Sequence, residues 1–248
     1  MIILAGGFGE RTRGVLGNVP KLLVETADGE TILDHIVGDL DKNGLQSVIV
    51  TNGLFYDQIA KFVGKKHPNE RTSIINDQKT RPEERLGALG DLLFAIDEAS
   101  LEDGKELLVL PGDTAYWKSF LVDEFLKFAS EHPDGFVTVV YDVGDKEKIR
   151  GNLGCAILDE NSQITEFEEK PEKPKSPFAI IAIYLFRPEH VSLLRDFKSE
   201  GGNLNSPSNI IPYLMERKIK IYAYVSRGQV IDANSPEEID KARRYGEG

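Results

Sequence analysis

Gly6, Gly7 and Gly9 fall within four residues, Arg11 and Arg13 follow at once, and Pro20-Lys21 closes the stretch. The short apolar run Ile2-Ile3-Leu4-Ala5 leads into them. Glycine has no Cβ, so successive N–H groups can turn around an anion at close range. Arginine guanidinium groups can then fork onto its oxygens. Strand, glycine loop and cations in that order describe a cradle for a phosphate chain, and the expected occupant is a nucleoside triphosphate.

Other residues with chemical potential lie far along the chain. Asp113 follows Pro111-Gly112 at the end of the apolar run Leu107–Leu110, and Asp232 ends Val230-Ile231-Asp232. Glu168-Glu169-Lys170 sits between apolar segments. Taken singly, each has a plain explanation. Asp113 fits a turn aspartate, Asp232 fits a residue solvating the next helix, and Glu169-Lys170 fits a solvated face. His35, His67, His132 and His190 show no ligand spacing, and His67-Pro68 and His132-Pro133 read as helix exits. Cys155 lies in an apolar strand and reads as core. Trp117 and the tyrosines lack the spacing of a base-stacking platform.

The glycine loop is neither of two common kinds. A dinucleotide-binding loop needs glycine or alanine where Gly7-Phe8-Gly9-Glu10-Arg11-Thr12 ends in Thr12. A P-loop needs Gly-Lys followed by Ser or Thr, which is missing. The run Leu4-Ala5-Gly6-Gly7-Phe8-Gly9-Glu10-Arg11 with Pro20-Lys21 instead resembles the sugar-phosphate nucleotidyltransferase family, the NDP-sugar pyrophosphorylases. Glu10 stands where that family usually has Thr, and Thr12 where Leu is common. Further pieces agree in order: Leu86-Gly87-Ala88-Leu89-Gly90, Pro111-Gly112-Asp113-Thr114, Gly154, Phe167-Glu168-Glu169-Lys170-Pro171, Ile183-Tyr184-Leu185-Phe186 and Gly228 to Glu237. The sugar side departs from the pattern. Ile180 and Ala182 replace the family's Asn and Gly, Val230 replaces Trp, and Asn234 replaces Gly.

The resemblance implies the reaction NTP + sugar 1-phosphate → NDP-sugar + pyrophosphate. It implies nucleotide contacts from Leu4, Ala5, Gly6, Gly7, Gly9, Glu10, Arg11, Gly87 and Gly112. Arg11 takes charge on the leaving phosphates, and Lys21 lies between the two reacting phosphates. Asp113 and Asp232 hold Mg²⁺, a hard ion suited to carboxylate and phosphate oxygens. Gly154, Glu169, Lys170 and Tyr184 form the sugar-phosphate side. Arg11, Lys21 and Asp113 are the expected catalytic residues.

The elements that must position these residues alternate. Strands are expected at Ile2–Ala5, Gln46–Asn52, Thr72–Ile75, Leu107–Leu110 and Phe136–Tyr141. Helices are expected from Thr31 to Asn43, Tyr56 to Lys65, Leu86 to Ala99 and Phe120 to Ala129. Leu22-Leu23-Val24 reads as extended, and Asp28-Gly29 as a turn. That rhythm predicts an α/β fold, a Rossmann-like, mainly parallel mixed sheet with helices on both faces. After Tyr141 the pattern becomes mixed: a strand pair at Gly154–Leu158 and Gln163–Glu168, a long strand at Phe178–Phe186, helices after Pro188, near Pro207 and from Ser235, and strands at Ile219–Val225 and Val230-Ile231. Residues 1–248 read as one nucleotidyltransferase domain, with a nucleotide-binding half (1–141) and a sugar-phosphate-binding half (142–248).

Composition narrows the classes. Lys and Arg number 30 against 41 Asp and Glu, a formal charge of −11, which repels nucleic acid and anionic membranes yet permits a local basic pocket. The hydrophobic fraction of 40% supports a core. No apolar run reaches the roughly 18 residues of a membrane span. A single cysteine and the absence of a leader-like start fit a cytoplasmic protein. Expected partners are the nucleoside triphosphate and the sugar 1-phosphate, with no nucleic acid and no membrane; the oligomeric state is open. Two other readings remain. A glycosyltransferase using an NDP-sugar usually carries Asp-x-Asp where this chain has Asp113-Thr114-Ala115. A non-catalytic nucleotide-sugar-binding regulatory paralogue usually loses one of Arg11, Lys21, Asp113 and Asp232, all present here.

Overall fold

The computed structural model describes residues 1–68, 71–101, 104–116, 120–227 and 230–245; Trp117, Gly228 and Gln229 fall outside these. In the amino-terminal part, β1 (Ile2–Ala5), β2 (Ser47–Thr51), β3 (Thr72–Asn76) and β4 (Leu107–Pro111) alternate with helices. Those helices are the single turn α1 (Arg13–Leu16), α2 (Ile32–Lys42), α3 (Tyr56–Lys66) and α4 (Ala88–Glu98). A two-residue strand β5 (Thr114–Ala115), helix α5 (Val122–Glu131) and strand β6 (Gly135–Asp142) follow. Next come β7 (Gly154–Leu158), β8 (Ile164–Glu169), β9 (Phe178–Phe186), α6 (Pro188–Ser199), α7 (Ile210–Glu216) and β10 (Lys220–Ser226). The short strand β11 (Ile231–Asp232) and helix α8 (Pro236–Arg243) end the described chain.

The main sheet runs β10-β6-β9-β4-β1-β2-β3, with β7 pairing to β9 and β8 to β7. β1 is parallel to β2 and to β4, β2 to β3, and β10 to β6. β9 is antiparallel to both β4 and β6. The sheet is therefore mixed and mainly parallel, and strands from both parts of the chain share it, as the sequence pattern implies. Buried residues of α2, α3, α5 and α8 pack on one face, and those of α4, α6 and α7 on the other. Neighbouring β1 residues divide between them, Ile3 facing the first core and Ile2 the second.

Local chemistry fixes the element ends. Thr31 accepts from the N–H of Asp34, and Asp34 returns a bond to Thr31 N–H, a reciprocal cap that starts α2. Ser235 accepts from Glu238 N–H at the start of α8, with Pro236 at its first position. His67 and His132 are the residues at which α3 and α5 stop. One expectation fails: Lys21–Leu23 is a turn of 3₁₀ helix, not extended chain. Leu23 N–H bonds the Pro20 carbonyl and Val24 N–H the Lys21 carbonyl, so local bonds win over pairing with a strand.

The order β3-β2-β1-β4 places a switch in winding direction between β1 and β4, where the carboxyl ends of open α/β sheets leave a crevice. The glycine loop leaves β1 there and Asp113 leaves β4 beside it. Gly87, which starts α4, has φ +82°, and a Cβ on it would lie 2.5 Å from the Leu204 carbonyl oxygen. Gly87→Ala is expected to cost about 2 kcal/mol or more, read as a lower urea midpoint; an unchanged midpoint would contradict this account of the α4 start.

Candidate active site

A cavity of about 1000 Å³ opens at that crevice. The glycine loop forms one wall. Asn52, fully buried after β2, donates to the carbonyls of Gly6 (3.0 Å) and Gly7 (3.3 Å). In a trans peptide the N–H points opposite to the C=O, so this turns the N–H groups of Gly7 and Phe8 away from Asn52. Neither N–H takes part in a hydrogen bond among the described residues, and both residues line the cavity. Asn52 is a support that the sequence reading passed over; its position after an apolar strand gave no chemical signal. Arg11 lines the same wall, exposed and with no ion-pair partner among the described residues.

Two short strands bring the distant carboxylates together. β11 pairs antiparallel with β5, Asp232 opposite Thr114, and Ala233 N–H bonds the Asp113 carbonyl at 2.9 Å. Lys21 Nζ donates to Asp113 Oδ2 at 3.0 Å and to Asn234 Oδ1. Asn234 in turn donates to Asp232 Oδ2. Asp232 Oδ1 is buried and has no partner. Burial, then the charge of Asp113, pushes the Asp232 carboxyl above the ordinary range. A strand is expected at Val230-Ile231 and β11 lies there, but β5, its pairing with β11 and the Asn234 bridge carry no sequence signal, because a two-residue strand has no periodicity.

The opposite wall comes from the second part of the chain. Glu169 accepts from Ser208 Oγ at 2.7 Å, and Ser208 exchanges a 2.8 Å bond with Ser206. A Cβ at Gly154 would lie 2.8 Å from the Phe167 ring and 3.0 Å from Glu169 Oε2. Tyr184 is buried in β9, its hydroxyl has no partner, and burial followed by the Glu169 charge raises its pKa. Lys170 lines the cavity with φ +49°. Sheet order sets the sequence of these groups. The loop follows β1, Asp113 follows β4, and Tyr184 lies in β9, with β7 and β8 beyond.

Some expected residues stand behind the wall instead of in it. Leu4, Gly6, Gly7, Arg11, Gly87, Asp113, Gly154, Glu169, Lys170, Tyr184 and Asp232 line the cavity. Ala5, Gly9, Gly112 and Lys21 are not among its lining residues. Ala5 accepts from Thr51, Gly9 from Thr12, and Gly112 donates to Leu4, so these three hold the loop and the β4 end. Lys21 is held just behind the wall by its bonds to Asp113 and Asn234. Glu10 is half exposed and paired with Arg85. Asp91, Ser206 and Ser208 line the cavity without having been singled out.

A sequence model of the family described as nucleotidyl transferase matches residues 1–235. The chain belongs to that family. Among curated relatives, a glucose-1-phosphate adenylyltransferase of Clostridium acetobutylicum is 26% identical over 97% of this chain and 65% of its own length. The enzyme of the same name from Mycoplasma mobile is 27% identical over 92% of this chain and 61% of its own. The chain thus spans a little under two thirds of the length of these relatives. A crystallised Bacillus anthracis protein assigned as a glucose-1-phosphate thymidylyltransferase, in complex with a sucrose, shares the fold. Its TM-score is 0.78 at 20% identity, covering 98% of this chain and 92% of that one.

Within this family member, Asp91 Oδ1, Tyr184 Oη and Asp232 Oδ1 are buried, unpartnered and on one cavity. Buried polar atoms are normally satisfied, so their partners are expected to be a ligand's. The raised Asp232 pKa gives a pH signature. The folded state binds that proton more tightly than the unfolded chain, so ionisation weakens the fold as pH rises above the ordinary carboxylate range. Asp232→Asn is expected to raise the thermal midpoint at pH 8 and to leave it unchanged near pH 4. A midpoint lowered at pH 8 would contradict this.

Proposed function

We propose that the chain transfers a nucleotidyl group from a nucleoside triphosphate to a sugar 1-phosphate, releasing pyrophosphate. The observation that carries this is the single cavity with three successive parts: free loop N–H groups and Arg11, then the Asp113–Lys21–Asn234–Asp232 cluster, then Glu169, Lys170 and Tyr184. Family membership and the names of the curated relatives support the same reading.

In this reaction an oxygen of the sugar phosphate attacks the α-phosphorus, and the bond from that phosphorus to the β-bridging oxygen breaks. The electron pair leaves with pyrophosphate. The nucleophile is already an anion, so no general base is needed. Gly7 and Phe8 N–H groups and Arg11 bind the outer phosphates and take up charge on the leaving group. Lys21, released from Asp113 and Asn234, offsets the repulsion between the two reacting phosphates. Glu169 accepts from sugar hydroxyls, held by Ser208, while Lys170 meets the sugar phosphate. The nucleotide half is carried by residues 1–141 and the sugar half by 142–248, within one domain.

Asp113 and Asp232 fit a divalent cation. They are adjacent carboxylates, one with an orphaned buried oxygen and a proton affinity raised by burial and then by the other's charge. Among the described residues no group of three or more His, Cys, Asp and Glu is gathered. Two carboxylates suit Mg²⁺, which keeps waters and takes substrate phosphate oxygens. Bound there, it would supply Lewis-acid stabilisation of phosphoryl charge. No helix among the described residues is long and apolar enough to cross a membrane. The acidic balance disfavours nucleic acid, and we place the enzyme in the cytoplasm.

The test is pyrophosphate release from a matrix of nucleoside triphosphates and sugar 1-phosphates with Mg²⁺. Asp113→Asn and Asp232→Asn are each expected to lower turnover by about 100-fold or more while the fold persists. Near-normal release by both would remove the metal assignment. Arg11→Ala is expected to lower kcat by about tenfold or more; a change confined to the KM for sugar phosphate would contradict its placement.

A further inference from the structure

Asp91 is a buried carboxyl in the cavity that the reaction above leaves unused. It lies in the first turn of α4, is 6% exposed and packs under the glycine loop. A Cβ at Gly6 would lie 2.0 Å from Asp91 Oδ2, so the loop and this carboxyl are in direct contact. Oδ1 is fully buried without a partner, and no hydrogen bond to either oxygen lowers its proton affinity. No cation among the described residues pairs with it. The charge that reaches it is that of Asp77, itself buried, whose Oδ1 accepts from Lys79 N–H. Arg85 lines the cavity but is paired with Glu10.

Such a group weakens the fold. Burial and the Asp77 charge push its carboxyl up to about 7. An apolar residue here would remove an unsatisfied acceptor and its desolvation cost. The group gains a purpose only if donors arrive from outside the chain. Its position says which part of a substrate brings them. α4 packs on β1 and β2, on the side of β1 away from β4 and its Asp113. With the triphosphate held by the loop N–H groups, Arg11 and the carboxylate cluster, the nucleoside is the part left for this end.

We propose that Asp91 selects the nucleobase, its two oxygens accepting from an edge that carries two adjacent N–H donors. This rests on the triphosphate-binding part of the proposed function. Of the common bases, guanine has that edge, in its ring N1–H and exocyclic N2 amine. Adenine and cytosine set one amine beside a ring acceptor, which a carboxylate repels. Uracil and thymine flank a single N–H with two carbonyl oxygens. A site with buried acceptors rejects a ligand that leaves them unpaired far more strongly than one that merely lacks contact area.

The experiment measures binding of GTP, dGTP, ITP, ATP, CTP, UTP and dTTP to the full chain by calorimetry with Mg²⁺. It compares wild type with Asp91→Asn and Asp91→Ala. Wild type is expected to prefer GTP over ATP, CTP, UTP and dTTP by about tenfold or more. ITP, which lacks the N2 amine, should fall between, and dGTP should match GTP. Both variants should lose the preference while their thermal midpoints stay at or above that of wild type. A wild-type preference for another base, or a GTP preference that survives both variants, would overturn the proposal. So would a loss confined to discrimination between GTP and dGTP, which would place the ribose on Asp91. Binding is read without sugar phosphate, so a GTP preference without pyrophosphate release in any pairing sinks the proposed reaction and not the base assignment. Pyrophosphate release with no base preference does the reverse.

Discussion

The site depends on holding two carboxylates side by side against their mutual repulsion. Asp113 lies near the middle of the chain and Asp232 near its carboxyl end, and the backbone pairing of β5 with β11 fixes them. Lys21 donates to one oxygen of Asp113, Asn234 to one oxygen of Asp232, and the two donors are bonded to each other. One cation and one amide do not satisfy both carboxylates, and Asp232 Oδ1 stays bare. The main sheet exists, from the site's standpoint, to bring that cluster beside the glycine loop on one side and Glu169 on the other. β9, antiparallel to both β4 and β6, is the strand that joins the two walls of the cavity.

The same logic explains where the structure is weak. Buried groups without partners accumulate on one cavity: Asp91, Tyr184 and Asp232. Several buried polar groups elsewhere are well served. Arg187, buried below β9, donates to the carbonyls of Ala129, His132 and Gly135 and pairs with Glu106 at 3.0 Å. Asp34 closes the α2 cap and takes a 2.7 Å bond from His67. Stability is therefore forgone at the site and supplied by the frame, the usual division when a pocket must meet charged ligands.

Much of the frame was legible because its elements are long and periodic. Phe178–Phe186 reads as a strand from its apolar run, and Thr31 and Ser235 announce helix starts through side chains that suit orphan N–H groups. The glycine loop was legible because glycine spacing and cations report backbone chemistry directly. What the sequence hid has a common cause: short range. β5 and its pairing with β11 involve too few residues for a pattern, although the apolar Val230-Ile231 does mark the β11 strand. Lys21–Leu23 looks extended from composition, yet local carbonyls turn it. Asn52 and Ser208 are ordinary polar residues until tertiary contact points them at Gly6 and Glu169. Asp91 sits within a helix start that the sequence marks for its glycines, and only packing reveals that its carboxyl has no partner.

The proposed direct transfer between two substrates in one cavity makes a stereochemical demand, because a single in-line displacement inverts the attacked phosphorus. The measurement is the configuration of the NDP-sugar formed from an α-thio nucleoside triphosphate and a sugar 1-phosphate that supports turnover. Inversion at the α-phosphorus is the result this account predicts. Retention, which requires a covalent nucleotidyl-enzyme and two displacements, would contradict it.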